Sequence, residues 1–262
     1  MPPSSPFPHN RCEQLSTSQW PVIQISHLQF AWKRGAANVL DIPALAINQG
    51  ERVFLQGSSG SGKSTLLSLV AGVSNLRNGE LEVLGQDLRR LNAAERDRFR
   101  ADHIGIIFQM FNLIPYLSVV ENVTLPCRFS PKRRDKALQR TPSLRQEAIR
   151  LLDHLDMADG DLLHRPVNEL SVGQQQRVAA ARALMGAPEL VIADEPTSSL
   201  DADRRTAFID LLFRECDEAK ATLVFVSHDA SLRTPFDRSI DFNQINRAIT
   251  ASSRCLAAGG EH

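Results

Sequence analysis

The chain has 262 residues, 42% hydrophobic and 23% charged, with 30 basic side chains balanced by 30 acidic ones. That is enough for one large domain or two small ones, without the overall positive field that would draw nucleic acid. Cys12, Cys127, Cys216 and Cys255 match no metal-ligand spacing and are too few to staple such a chain, no apolar run approaches the roughly 18 residues of a membrane span, and no basic-then-apolar leader opens the sequence, so reduced thiols in an unexported, unembedded protein are expected.

Residues 1–20 carry four prolines in the first eight positions and little to bury, which predicts a disordered lead. From Pro21 the pattern changes to β-like runs at 22–30, 44–47 and 52–56, parted by turn residues that include Gly35 and Gly50. Together they predict an antiparallel sheet feeding the loop that follows. Trp32, at the end of the first run, stands where an aromatic ring could stack on a nucleotide base.

The loop is Gly57-Ser58-Ser59-Gly60-Ser61-Gly62-Lys63-Ser64-Thr65, which satisfies G-x-x-x-x-G-K-[ST] directly after the apolar run Val53-Phe54-Leu55. Its glycines let successive N–H groups point into one concavity. A helix predicted over 64–71, closed by Gly72, adds its positive end to the same spot, so phosphate is the expected occupant. Lys63 is placed to reach β- and γ-phosphates, and the Ser64 hydroxyl to sit on Mg²⁺. Beyond it come a strand at 81–84, a charged surface helix at 93–100 and a buried strand at 104–108, ending at Gln109. A polar residue at that strand tip is placed to touch Mg²⁺ or water.

Ser118 with Glu121 and Ser143 with Gln146 match capping boxes, and Leu144, Ala148, Leu151, Leu152 and Leu155 form a core stripe. Residues 128–150 hold eight basic residues (Arg128, Lys132, Arg133, Arg134, Lys136, Arg140, Arg145, Arg150) against Asp135 and Glu147. A solvated, partly mobile surface is the plain expectation; contact with anionic lipid headgroups or an acidic partner loop is the sharper one.

A second constellation begins at Leu170. Ser171 and Gln174 form another capping box before an Ala-rich helix over 178–184, stopped by Gly186 and Pro188, and this helix start could also accept an anion. The apolar strand 189–193 then ends in Asp194-Glu195, whose side chains alternate in direction. Asp194 is suited to holding Mg²⁺ and Glu195 to acting as general base toward an attacking water. A final strand, 222–226, ends in Ser227-His228-Asp229 and delivers an imidazole to the same sheet edge.

Taken in order, Trp32, the loop 57–65, Gln109, the signature 170–174, Asp194-Glu195, Ser199-Leu200-Asp201 and His228 resemble the ATP-binding subunit of ABC transporters over about residues 21–242. The resemblance implies an α/β fold: a P-loop ATPase core with an antiparallel β subdomain and an inserted helical subdomain at about 111–168. It implies ATP and Mg²⁺ as ligands and ATP sandwiched between two copies, the loop of one facing Ser171, Gly173 and Gln174 of the other, with Asp201 in the adjoining loop. It also implies hydrolysis with Glu195 polarising the water and His228 holding the γ-phosphate. A membrane permease partner follows, docking near residues 109–116, which places the chain on the cytoplasmic face of the inner membrane. Residues 108–115 and 120–126 look more particularly like the lipoprotein-release, macrolide-export and cell-division branch.

Several positions depart from that pattern. Val172 replaces the first glycine of the usual Leu-Ser-Gly-Gly-Gln, so an active but slower enzyme is expected. The linker 128–143 is long for the branch, Pro235 interrupts a helix-like pattern, Asp241-Phe242-Asn243-Gln244 stands where relatives show a charged, Gly-containing turn, and residues 243–262 are left as a tail. Two other functions share parts of the pattern: an ATPase switch driving a permease-like partner for signalling without transport, and a soluble ATPase acting on DNA or ribosomes. The latter is disfavoured by the short 109–171 segment and the single motif set.

Overall fold

Two sheets divide the apolar residues between them. In the computed structural model, which describes residues 21–248 apart from Ala158, Ser199 and Asp201, the first sheet is antiparallel. It consists of β1 (Pro21–Phe30), β2 (Leu40–Asn48), β4 (Asn78–Val83) and β5 (Gln86–Asp87), in the order β2-β1-β4-β5. The second is parallel throughout: β6 (Ile104–Ile107), β7 (Leu190–Asp194), β8 (Thr222–Ser227), β3 (Arg52–Gln56) and β9 (Arg238–Asp241), in the order β6-β7-β8-β3-β9. The expected lead at 1–20 and the tail beyond 248 lie outside the described residues.

The third β-like run, 52–56, therefore does not continue the antiparallel sheet as expected. Val53, Phe54 and Leu55 are all buried, so β3 is covered on both faces, which is the condition of a central parallel strand. Strand β1 of the antiparallel sheet instead alternates buried and exposed positions over much of its length.

Helices α1 (Lys63–Val70), α2 (Ala93–His103), α3 (Val119–Thr124), α4 (Pro126–Phe129), α5 (Pro131–Arg140), α6 (Leu144–His154), α7 (Val172–Leu184), α8 (Ala202–Ala219) and α9 (Phe242–Ile245) complete the structure with short 3₁₀ turns. Reciprocal capping boxes form at Asn92/Glu95, Ser118/Glu121 and Ser171/Gln174; at Ser143 the hydroxyl accepts from the Gln146 N–H. The stripe Ala148, Leu151, Leu152 and Leu155 is wholly buried, in one core with Val123, Val178 and Phe225. No helix among the described residues is long and apolar enough to cross a membrane.

The basic run at 128–150 is not the mobile surface its composition suggested. Ser130 caps α5 by accepting from the Arg133 N–H, and Pro131 fills the first turn, where its missing N–H costs nothing. Lys132 and Lys136 each lie 2.9 Å from one Glu189 oxygen and His103 lies 3.2 Å from the other. Burial works against that carboxylate, but hydrogen bonds from His103, Lys132 and Lys136 outweigh it and hold its pKa far below the usual range. Arg150 pairs with Glu147 at 2.9 Å and with Glu218 at 3.4 Å, while Arg140 lies 3.8 Å from each of the same two.

Arg133 is buried and donates to Ala183 O at 2.6 Å and Met185 O at 2.7 Å, at the end of α7, where burial pushes its pKa down to about 10. The last carbonyls of a helix lack intrahelical donors, so this guanidinium supplies them. Arg133→Met, which leaves both carbonyls buried without a donor, is expected to lower unfolding free energy by about 3 kcal/mol. Denaturant unfolding checks this, with the exposed Arg134→Met as a control expected within about 0.5 kcal/mol of the parent.

Candidate functional site

The parallel register sets the site. Gln56 of β3 lies level with Ser227 of β8 and Asp241 of β9, Asp194 of β7 with Val226 of β8, and Ile107 of β6 with Ala193. Every carboxyl end therefore opens on one edge of the sheet, where α/β folds bind ligands. There a cavity of about 540 Å³ is lined by Val39, residues 59–65, Gln109, Asp194, Glu195 and His228.

The loop 57–65 curls over the start of α1. Gly62, at φ 99, precedes the helix, and a Cβ there would lie 2.8 Å from Leu40 Cδ2, so both backbone shape and space require glycine. Lys63 is buried and donates through Nζ to Gly57 O at 2.7 Å and Ser58 O at 2.8 Å. Burial lowers its pKa, and the charges of Glu195 and Asp194 pull the other way. Ser61 Oγ is buried without a hydrogen-bond partner. An orphaned hydroxyl, a buried ammonium and the start of α1 at one place together suit an anion with several oxygens.

Opposite the loop, Ser64 Oγ donates to Asp194 Oδ2 at 3.1 Å. Burial raises the Asp194 pKa, and the adjacent Glu195 adds to this against the opposing effects of Ser64 and Lys63. A carboxylate in that condition gains from a cation beside it, and hydroxyl and carboxylate oxygens are the ligands a hard cation prefers. Glu195 takes φ 47, a left-handed backbone that side chains disfavour, and its N–H donates to Val226 O at 2.9 Å. Its Oε2 lies 3.0 Å from His228 Nδ1, so carboxylate and imidazole form one hydrogen-bonded unit at the mouth.

Other expected site residues stand apart from this lining. Trp32 is 61% exposed and rests edge-on against Phe30, with ring centroids 5.0 Å apart. Ser171 and Gln174 complete their cap on the outer surface: Ser171 N donates to Gln174 Oε1 at 2.9 Å. Val172 beside them is 50% exposed, and among the described residues a Cβ on Gly173 would meet only Leu200, at 3.9 Å, so none of them demands a glycine there. Asp201 lies outside the described residues.

The structure adds two residues of the expected tail, Asn243 and Asn246. A Cβ on Gly57 would lie 3.0 Å from Phe242 Cβ, and one residue on, Asn243 Oδ1 accepts from Ser58 Oγ at 3.0 Å. Asn246 is wholly buried; its amide donates to Val39 O and Ser61 O, both at 2.9 Å, and accepts from Asp41 N at 2.8 Å. One side chain thus ties the chain end to the phosphate-facing loop and to the entry of β2. The only local hint is Asp241 followed by Asn243, an Asx turn that starts α9.

The ABC transporter family model matches residues 40–198. The ABC transporter ATP-binding protein Rv0986 of Mycobacterium tuberculosis is 39% identical over 236 residues, 89% of this chain and 91% of that protein. The lipoprotein-releasing system ATP-binding protein LolD of Psychrobacter arcticus is 37% identical over 221 residues, 84% of this chain and 94% of that one. Among solved structures, the dimeric post-hydrolysis state of the ATP-binding cassette MJ0796, bound to ADP and Pi, matches with a TM-score of 0.72 at 32% identity, covering 84% of this chain and 93% of that chain. With the loop, the paired carboxylates and the imidazole at one sheet edge, and with these matches over most of its length, the protein belongs to the ABC transporter family as an ATP-binding, ATP-hydrolysing subunit.

Proposed function

We propose that the cavity at the sheet edge is the hydrolytic site and that a second copy of the chain completes it through the cap at Ser171. The observation that carries this reading is the division of labour in one chain. Lys63, Ser64, Gln109, Asp194, Glu195 and His228 surround the cavity, whereas Ser171 and Gly173 face outward with room beside them. Residues 57–65 hold the phosphates with backbone N–H groups, the Ser61 hydroxyl and the Lys63 ammonium, and Trp32 stacks on the base. Ser64, Asp194 and Gln109 would hold Mg²⁺, which when bound would neutralise charge on the phosphate oxygens.

Glu195 takes a proton from the water attacking the γ-phosphate, the bond from γ-phosphorus to the bridging oxygen breaks, and ADP and phosphate leave. His228, tied to Glu195 through Nδ1, leaves Nε2 for a γ-phosphate oxygen. From the second copy, Ser171, Gly173 and Gln174 close over that phosphate and stabilise its developing charge, with Asp201 in the adjoining contact. ATP closes the dimer and product release reopens it, moving a membrane permease; the chain works at the cytoplasmic face of the inner membrane.

The permease seats near residues 109–116, where Met110 and Tyr116 are 81% and 80% exposed; Phe108 and Phe129 are exposed too. An additional contact with anionic lipid would rest on exposed Arg128 and Arg134, since Lys132, Arg133, Lys136, Arg140 and Arg150 are engaged internally. The ATP-binding domain is taken as residues 21–242, extended by Asn243 and Asn246, which bond to its loop, with the helical insertion at about 111–168.

Lys63→Ala is expected to weaken ATP binding by about 100-fold, measured by equilibrium titration. Glu195→Gln should bind ATP, lower turnover by at least about 100-fold and run as a closed dimer on size exclusion. Normal turnover in that variant would overturn the base assignment. Purified from its native membranes with ATP and Mg²⁺, the same variant should carry a permease with it; recovery of soluble partners alone would remove the transport reading. Val172→Gly, which clears a β-branched side chain from the closing face, should raise turnover about threefold, a barrier change under 1 kcal/mol.

A further inference from the structure

Helix α7 reaches both halves of the machinery. Its first residue follows the Ser171 cap, and its far end lies against β6, the strand that delivers Gln109. Thirteen residues make it about 20 Å long. The contact with β6 is backbone on backbone: a Cβ on Gly105 would come within 2.2 Å of Ala183 O, so only glycine lets α7 sit this close.

Past β6 the chain turns through Phe111 and Asn112 at φ 58 and 50, two successive side-chain-bearing residues in the left-handed region. Arg182, on the last turn of α7, holds that turn. Its Nη2 donates to Phe111 O at 2.5 Å and its Nη1 to Asn112 O at 2.6 Å. Arg182 is 9% exposed and has no ion-pair partner among the described residues. A cation buried without an anion is costly unless its donors are well used, and here the hydrogen bonds converge on two carbonyls of one strained turn. From the other side the wholly buried Asn122 exchanges hydrogen bonds with Ile114, accepting from its N–H at 2.8 Å and donating to its O at 3.1 Å. Gln109 stands between β6 and this pinned turn.

We propose that Arg182 is a positioning residue for Gln109: it ties the turn after Gln109 to α7, so that movement of the Ser171 cap toward a second copy's nucleotide moves Gln109 within its own site. The inference rests on the reading of Gln109 as a group that serves hydrolysis. Arg182 itself touches no nucleotide and acts through the loop. The two sites of a dimer are thereby linked, because the helix that completes one also carries the loop of the other.

The test is steady-state ATPase kinetics and Mg²⁺-free ATP binding on the full chain. Arg182→Met should lower kcat about tenfold, as loss of two charge-assisted hydrogen bonds would, while Mg²⁺-free ATP affinity stays within about twofold because the phosphate loop is untouched. Arg182→Lys, which keeps the charge but replaces the planar fork by a single nitrogen on a shorter stem, should recover part of the loss. Placed in a Gln109→Ala background, either substitution should cost less than about twofold further, a non-additivity that an arginine serving stability alone would not give. Losses that multiply in full, or unchanged kcat in a folded Arg182→Met, overturn the proposal. Should Arg182→Met lack a cooperative unfolding transition, the lysine variant decides by the same comparison. Wild-type turnover in Gln109→Ala overturns the reading of Gln109 and this proposal with it; an impaired Gln109→Ala with fully multiplying Arg182 losses overturns this proposal alone.

Discussion

The parallel pairing of β3 between β8 and β9 is the constraint on which the site depends. With Gln56 level with Ser227 and Asp241, the loop after β3 and the imidazole after β8 leave the sheet at the same height. A one-residue slip would turn Phe54 out of the layer it shares with Phe225 and Phe236, so burial enforces the register. Those rings lie on one side of the sheet and the α1 contacts of Val53 and Leu55 on the other. The chemistry at the edge is thus positioned by apolar packing beneath it.

Buried guanidinium groups do a second job. Arg133 and Arg182 both reach backbone carbonyls rather than carboxylates, one at the end of α7 and one at the turn after β6. Arginine suits this because its planar fork serves two acceptors at once and stays charged at any ordinary pH, even where burial draws its pKa down. Lysine would bring a single nitrogen on a shorter stem in place of a fork whose two ends each meet a carbonyl. A run of basic residues can therefore be paired largely within its own chain, and net charge per segment is a poor guide to surface field when acidic partners and helix-end carbonyls lie nearby.

Much of the edge was legible in the sequence because its signals are contiguous. The loop 57–65 declares itself by spacing, and Asp194-Glu195 and His228 declare themselves by closing apolar strands. What was not legible depends on partners distant in sequence. The run at 52–56 looks like its antiparallel neighbours until β8 and β9 are known to flank it, some 170 residues and more away. Helix α5 has a readable start in Ser130-Pro131, but its mean polarity hides that Arg133 is buried. Asn246 and Arg182 carry no local signal, since an amide or guanidinium acquires meaning only from the carbonyls it meets.

The fastening of Asn246 bears on how the protein is made. β3 leaves the ribosome early, yet both strands that flank it, and the amide that binds Ser61 O, come from the last part of the chain. Helical contacts among α3, α6 and α7 can form sooner, because they are closer in sequence. The hydrogen bond that fastens the phosphate-facing loop through Asn246 therefore forms only after synthesis has passed residue 246. Nucleotide, which binds that loop, acts as a ligand that favours the finished fold.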